Sequence, residues 1–200
     1  MESSNPKIYT LFAGINGAGK STLYYTFGSK GFGERLNSDE IIAQNGKDWR
    51  SQSSQIRAGI EVLKRQSEYF DNGLSMNRET TLSEHSIVKM LQEIKSMGYD
   101  VHVYYIGLES LDIARERIKK RVEMGGHGID DYTLKLRYKA TQKNLNKIIP
   151  YCDLLQLYDN SGESIKLVGF LENGEIYKAR EGCKWLDKLL IELEEEKSLS

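Results

Sequence analysis

Two prolines and two cysteines are all that this chain of 200 residues carries. Cys152 and Cys183 lie far apart, which makes neither a disulfide framework nor a metal knuckle. The expectation is a reduced, cytoplasmic protein. No stretch approaches the roughly 20 consecutive apolar residues that cross a bilayer. Residues 1–7 lack the basic-then-apolar order of a secretory leader, so no membrane partner is expected. Nor does one sign of charge prevail, since 28 Lys and Arg face 29 Asp and Glu for a formal net charge of -1. A general nucleic-acid binder needs a basic face to displace counterions, and this balance argues against nucleic acid as a partner. Repeats, linkers and low-complexity segments are also missing. What remains is a chain of ordinary domain length, 39% hydrophobic, able to fold as one unit over residues 1–200.

A short apolar run at 8–13 ends in glycine and reads as a buried strand, and a helix can open at Lys20. Over residues 53–71 the apolar positions Ile56, Ile60, Leu63 and Phe70 keep to one helical face, and Gly73 stops them before a strand at 74–79. Thr81 and Glu84 have capping-box spacing, with Ser83 as a competing cap. They introduce a helix through Ile87, Leu91 and Ile94 that Gly98 ends. A β-branched and aromatic run at 101–108 is a strand, and 110–122 returns to helical spacing through Leu111, Ala114, Ile118 and Val122. Gly125-Gly126-His127-Gly128 breaks that helix. Asp130 caps the next, whose face holds Leu134, Tyr138, Leu145 and Ile148, with Pro150 at its end. A strand at 154–158 follows, then a hairpin at 165–177 turned at Asn173-Gly174. The tail from Cys183 is a helix with Trp185, Leu189 and Leu193 inward. Strands alternating with helices imply an α/β three-layer sandwich around a mostly parallel sheet, with the hairpin and helix of residues 163–200 appended.

Gly14-Ile15-Asn16-Gly17-Ala18-Gly19-Lys20-Ser21 fits G-x-x-x-x-G-K-[ST] at every fixed position. Glycines let the backbone curl so that successive N–H groups point at phosphate oxygens. The following helix adds its positive N-terminal end. Lys20 can reach between the β- and γ-phosphates, and the Ser21 hydroxyl can hold Mg²⁺. A glycine turn that binds nothing is the alternative, and the position between a strand and a helix argues against it. The expected nucleotide contacts are Gly14, Asn16, Gly17, Ala18, Gly19, Lys20, Ser21 and Thr22, with Ser21 on the metal. The loop alone does not say what the phosphate is for. A guanine-reading Asn-Lys-x-Asp motif is missing, and the only good apolar strand candidate, 101–108, is a weak match to the acid-ended strand of motor ATPases.

Two acids fall where strand ends deliver them to the phosphate edge. Asp39 follows Arg35-Leu36-Asn37-Ser38, and Glu79 ends the strand at 74–79. A carboxylate there can take the proton of an acceptor hydroxyl. Asp39 reads equally as a helix cap, and Glu79 as a loop residue beside Arg78. Arg115, Arg117, Lys119, Lys120 and Arg121 crowd one helix before the glycine break, and Arg137 follows on the next. With no acidic partners in view, these cations read either as a solvated face or as a lid over residues 115–137 that closes on the transferring phosphate. His127 is a lid residue that could touch substrate.

Taken together these residues resemble the zeta-toxin family of P-loop kinases. The resemblance runs over residues 8–161, through the phosphate loop to Thr22, Asn37-Ser38-Asp39-Glu40 and Glu79-Thr80-Thr81-Leu82-Ser83. It continues through Arg121-Val122 with Gly125-Gly126-His127, then Arg137-Tyr138 and Tyr158-Asp159-Asn160-Ser161. It implies an ATP- and Mg²⁺-dependent kinase that phosphorylates a hydroxyl of UDP-N-acetylglucosamine or a related sugar nucleotide. Asp39 would be the general base. Lys20, Arg121 and Arg137 would stabilise the transferring charge. Glu79 would hold the substrate or help order Mg²⁺, and Thr80 and Arg117 would contact substrate. It also implies a partner, a small helical antitoxin that blocks the ATP site. Two other readings stay open: a kinase of another small hydroxyl compound, and an ATP-binding regulatory module without transfer chemistry.

Overall fold

In the computed structural model the described residues are 6–28, 31–44 and 51–199. Strand β1 (Ile8–Ala13) matches the expected apolar run and lies inside a seven-stranded sheet. On one side it pairs with β3 (Met76–Thr80), which pairs in turn with β2 (Glu34–Leu36). On the other side come β4 (Asp100–Gly107) and β5 (Leu154–Asp159), and these five strands are all parallel. The hairpin strands β6 (Lys166–Glu172) and β7 (Glu175–Lys178) extend the β5 edge antiparallel. Asn173 and Gly174 turn the hairpin with φ of 52° and 80°, the left-handed pair that a two-residue turn between twisted strands requires.

Alternation along the strands separates two apolar layers. Tyr9, Leu11 and Ala13 face one side with Val101, Val103 and Leu157. They pack against α4 (Ile87–Ser96), the end of α6 (Asp131–Ile148) and α7 (Lys184–Leu199). Phe12, Ile106 and Tyr158 face the other side beneath α1 (Lys20–Phe27) and α5 (Leu111–Glu123). This is the three-layer sandwich, with the appended hairpin and helix built into the same sheet and core.

Four local expectations are corrected. The expected capping box does not form: Thr81 is hydrogen-bonded to Ser83, Glu84 turns toward Thr80, and α4 opens only at Ile87. In α3 (Gln52–Asp71), Ile56, Ile60 and Leu63 are exposed, and the helix packs through Ser54, Ala58 and Val62 instead. Val122 of α5 is exposed as well. The strand expected at 74–79 starts two residues later and ends one residue later, as β3, leaving Leu74 exposed.

Candidate active site at the strand ends

The parallel strands deliver their C-terminal ends to one edge, where an open α/β sheet binds ligands. β1 ends beside Thr80 of β3, and the Gly14 N–H donates to the Thr80 carbonyl at 3.1 Å. Gly14 has φ of 139°, and a Cβ there would collide with the Ile106 carbonyl. Only glycine passes between these strand ends. Gly19, with φ of 101°, opens α1, and a Cβ there would meet the amide of Asn160. That amide donates to the Ala18 carbonyl at 2.8 Å, so the segment after β5 fastens the loop. Lys20 Nζ donates to the Ile15 carbonyl at 3.1 Å. Ser21 is exposed in the first turn of α1 with Thr22, and its hydroxyl donates to Glu79 Oε1 at 2.8 Å.

The second expected acid, Asp39, lies in the first turn of α2 (Ser38–Gln44). The capping role belongs to Asn37, whose Oδ1 accepts from the N–H groups of Asp39 and Glu40 at 2.9 and 3.4 Å. The Asp39 carboxylate, 61% exposed, instead lies 3.1 Å from Nε2 of His127. Glu79 is the better buried acid. It accepts from Ser21 and from Arg35 Nη2 at 2.6 Å. Arg35 also bonds Glu40 at 2.8 Å and lies 3.8 Å above the Tyr24 ring. Burial opposes the Arg35 charge, but the bonds to Glu40 and Glu79 raise its pKa above the ordinary arginine value. Arg35 was visible in the sequence only as a spacer before Asp39. Its place on β2, next to β3, is what makes it the orienter of Glu79.

The basic run divides. Arg115 turns away to Asp112 and Asp131 at 2.5 and 2.6 Å, which corrects the expectation that the run lacks acidic partners. Arg117, Arg121 and Arg137 turn toward the phosphate loop. Arg117 Nη1 donates to the Gly17 carbonyl at 3.4 Å, and Arg137 Nη1 to Asn16 Oδ1 at 3.0 Å. Arg121 Nε donates to the His127 carbonyl at 2.7 Å, and Gly126 sits so tightly on Arg121 that a Cβ would collide with it. His127 is thus held by Arg121 on one side and faces Asp39 on the other.

Beyond Thr80 the chain makes an uncommon turn. Leu82 is fully buried with φ of 54°, a conformation that costs a non-glycine residue of order 1 kcal/mol. Its N–H donates to Thr80 Oγ1 at 2.9 Å. Thr141 of α6 donates to the Thr81 carbonyl, and Asn144 Nδ2 to the carbonyls of Leu82 and Glu84 at 2.6 and 3.2 Å. The turn carries Glu84 into the site, where its carboxylate accepts from Thr80 at 3.0 Å and Arg78 at 3.1 Å. By its spacing from Thr81, Glu84 reads as part of a capping box; no local signal marks it as a site residue.

A cavity of about 560 Å³ joins these parts, bounded by Lys20, Asp39, Glu79, Glu84, Arg121 and Arg137. Burial lowers the Lys20 pKa from its ordinary value. Glu79 opposes this, Arg121 adds to it, and Asp39 and Arg137 contribute in opposite senses. The opposite charge of a bound phosphate would offset both the desolvation and the repulsion. The Ser21 hydroxyl and Glu79 carboxylate are adjacent hard oxygen donors, which fit Mg²⁺ shared with a nucleotide's phosphates. Among the described residues no group of three or more His, Cys, Asp or Glu could hold a metal. No helix among them is long and apolar enough to cross a membrane.

No family model matches the chain. A Haemophilus influenzae protein, described only as an uncharacterized protein, is 33% identical over 128 residues, covering 64% of this chain and 90% of that one. Among solved structures, the AvrRxo1-ORF1:-ORF2 complex with ATP contains a chain that superposes with a TM-score of 0.68 at 15% identity. The match covers 94% of this chain, which spans only 64% of that partner's length. A chain of the PezAT toxin-antitoxin system of Streptococcus pneumoniae gives 0.62 at 20% identity, over 96% of this chain and 80% of that one. The chain belongs to the same family as the Haemophilus influenzae protein, and its fold is the zeta-toxin-like P-loop kinase fold.

Proposed function

We propose that this protein is an ATP-dependent kinase that transfers the γ-phosphate to a hydroxyl of a small molecule. The observation that carries the reading is the shared cavity, whose walls hold Lys20, Arg121 and Arg137 together with the Asp39 carboxylate. ATP in the similarly folded AvrRxo1 complex adds support for the nucleotide. Lys20 and the loop N–H groups would bind the β- and γ-phosphates. Arg121 and Arg137 would stabilise the charge that spreads over the equatorial oxygens, and Arg117 would reach the same phosphates from Gly17. Mg²⁺, held by Ser21 and steadied by Glu79, would neutralise phosphate charge. As the acceptor oxygen bonds to phosphorus, its proton passes to Asp39, the bond from phosphorus to the bridging oxygen breaks, and ADP leaves. Thr80 lines the acceptor side, and residues 115–137 act as the closing lid.

The sugar nucleotide implied by the resemblance enters as one arm of the test, and an antitoxin partner is proposed on the same footing, supported by the toxin-antitoxin origin of the PezAT relative. Purified protein is incubated with Mg²⁺, ATP and a panel of hydroxyl compounds that includes UDP-N-acetylglucosamine, and products are read by mass for one added phosphate. Tight ATP binding without a product from any acceptor would refute the reading.

A further inference from the structure

We infer that Gly59 determines which acceptors fit: the bare backbone of α3 at this position is the floor against which a flat, unbranched face of the acceptor lies. The inference deepens the kinase reading above and rests on it. Two cavities meet at the phosphate loop, of about 560 Å³ and about 430 Å³, and share Lys20, Ser21, Glu79 and Arg121 as walls. The transferring phosphate belongs at those shared walls. Gly19, Arg117 and Asn160 line only the smaller cavity, and Asp39 lines only the larger. The proposed base therefore gives the larger cavity to the acceptor and leaves the smaller to the nucleotide.

Helix α3 walls the larger cavity through Gln55, Gly59 and Val62. Their spacing of four and then three residues puts them on one helical face. Among the described residues Gly59 is the one glycine inside a helix. Two ordinary reasons for a glycine fail here. Its φ lies outside the left-handed region, so the backbone conformation does not require it. A Cβ built on it would meet no described atom within 4 Å, so close packing does not require it either. Glycine is also the poorest helix former after proline, so α3 gives up stability at a position that faces the cavity. What the missing side chain leaves is room for a ligand at van der Waals distance from the helix backbone. Gln55 one turn before and Val62 one turn after bound that gap, so a flat face fits it and a bulky branch does not.

The full chain, as wild type, Gly59→Ala and Gly59→Leu, is incubated with Mg²⁺, ATP and a polar small-molecule extract, and species that gain one phosphate are read by mass. Product should fall about 10-fold or more in Gly59→Leu, with Gly59→Ala between, while ATP affinity by calorimetry stays within a factor of about 2. The thermal midpoint of Gly59→Ala should meanwhile rise by about 2–4 °C, as a helix relieved of glycine does. A lowered midpoint in Gly59→Ala, or undiminished product in Gly59→Leu, overturns the inference. If the wild type phosphorylates nothing, the kinase reading fails on its own and binding decides the role of Gly59. Wild type and Gly59→Leu, each loaded with Mg²⁺ and a non-hydrolysable ATP analogue, are then mixed with the extract, and bound compounds are read by native mass spectrometry. A compound held by the wild type and lost from Gly59→Leu upholds the inference; equal retention, or retention by neither, overturns it.

Discussion

Asp39 and Lys20 line one cavity with different proposed tasks, so replacing each should fail differently. Asp39→Asn removes the proposed base without touching the phosphate loop. Transfer should fall by about 10²–10⁴-fold, while ATP affinity, read by calorimetry, stays within a factor of about 2. Lys20→Met should weaken ATP binding itself. The phosphate loop was legible in the sequence because its chemistry is local: consecutive residues make one cradle. Asp39 was legible only as an acid near a strand end, and its capping alternative is settled by Asn37, which takes the cap. Arg35 and Glu84 were not legible. Arg35 acts on Glu79 across 44 residues, a pairing set by strand order, and Glu84 borrowed the look of a capping box from its spacing to Thr81.

The turn between β3 and α4 shows how an element can carry function at a local cost. Leu82 keeps a left-handed backbone because α6 grips the carbonyls on either side of it. Asn144→Ala removes that grip at a distance from the nucleotide. Its expected signature is an acceptor KM raised about 10-fold with ATP affinity retained, since the loss falls on positioning rather than on phosphate binding; equal loss of both would mean a general collapse. The same strained turn explains why α4 starts later than its sequence suggested. α3 illustrates a different limit. Its periodic Ile56, Ile60 and Leu63 announce a helix correctly, yet periodicity does not say which face meets the protein, and the smaller Ser54 and Ala58 pack inward at that face.

Across the molecule, the sheet and its two apolar layers were readable from alternation, and so was the inward face of the C-terminal helix at Trp185, Leu189 and Leu193, whereas the partners of that face were not, because they depend on packing between distant segments. Trp185 packs on Gly107 so closely that a Cβ there would collide, and its Nε1 donates to Asp159 at 2.9 Å. Leu186 is fully buried. Leu186→Ala should lower stability by about 2–5 kcal/mol in denaturant titration; a negligible change would show the helix to be an appendage. The cysteines add a pH signature. Burial pushes the thiol of Cys183 up to about 11 and that of Cys152 up to about 12. Their pKa values are thus raised on folding, so this contribution is complete below about pH 9 and is lost as pH rises through 11 to 12. Unfolding midpoints should fall across that window, and less steeply in Cys183→Ala.

The most direct test of the account pairs two readings on one variant: ATP binding and phosphate transfer to an acceptor, in wild type and Asp39→Asn. Both proteins should bind Mg²⁺ and ATP alike, with only the wild type moving the γ-phosphate onto a hydroxyl. Equal transfer by both, or nucleotide binding with transfer by neither, would contradict the assignment of this cavity as a kinase site.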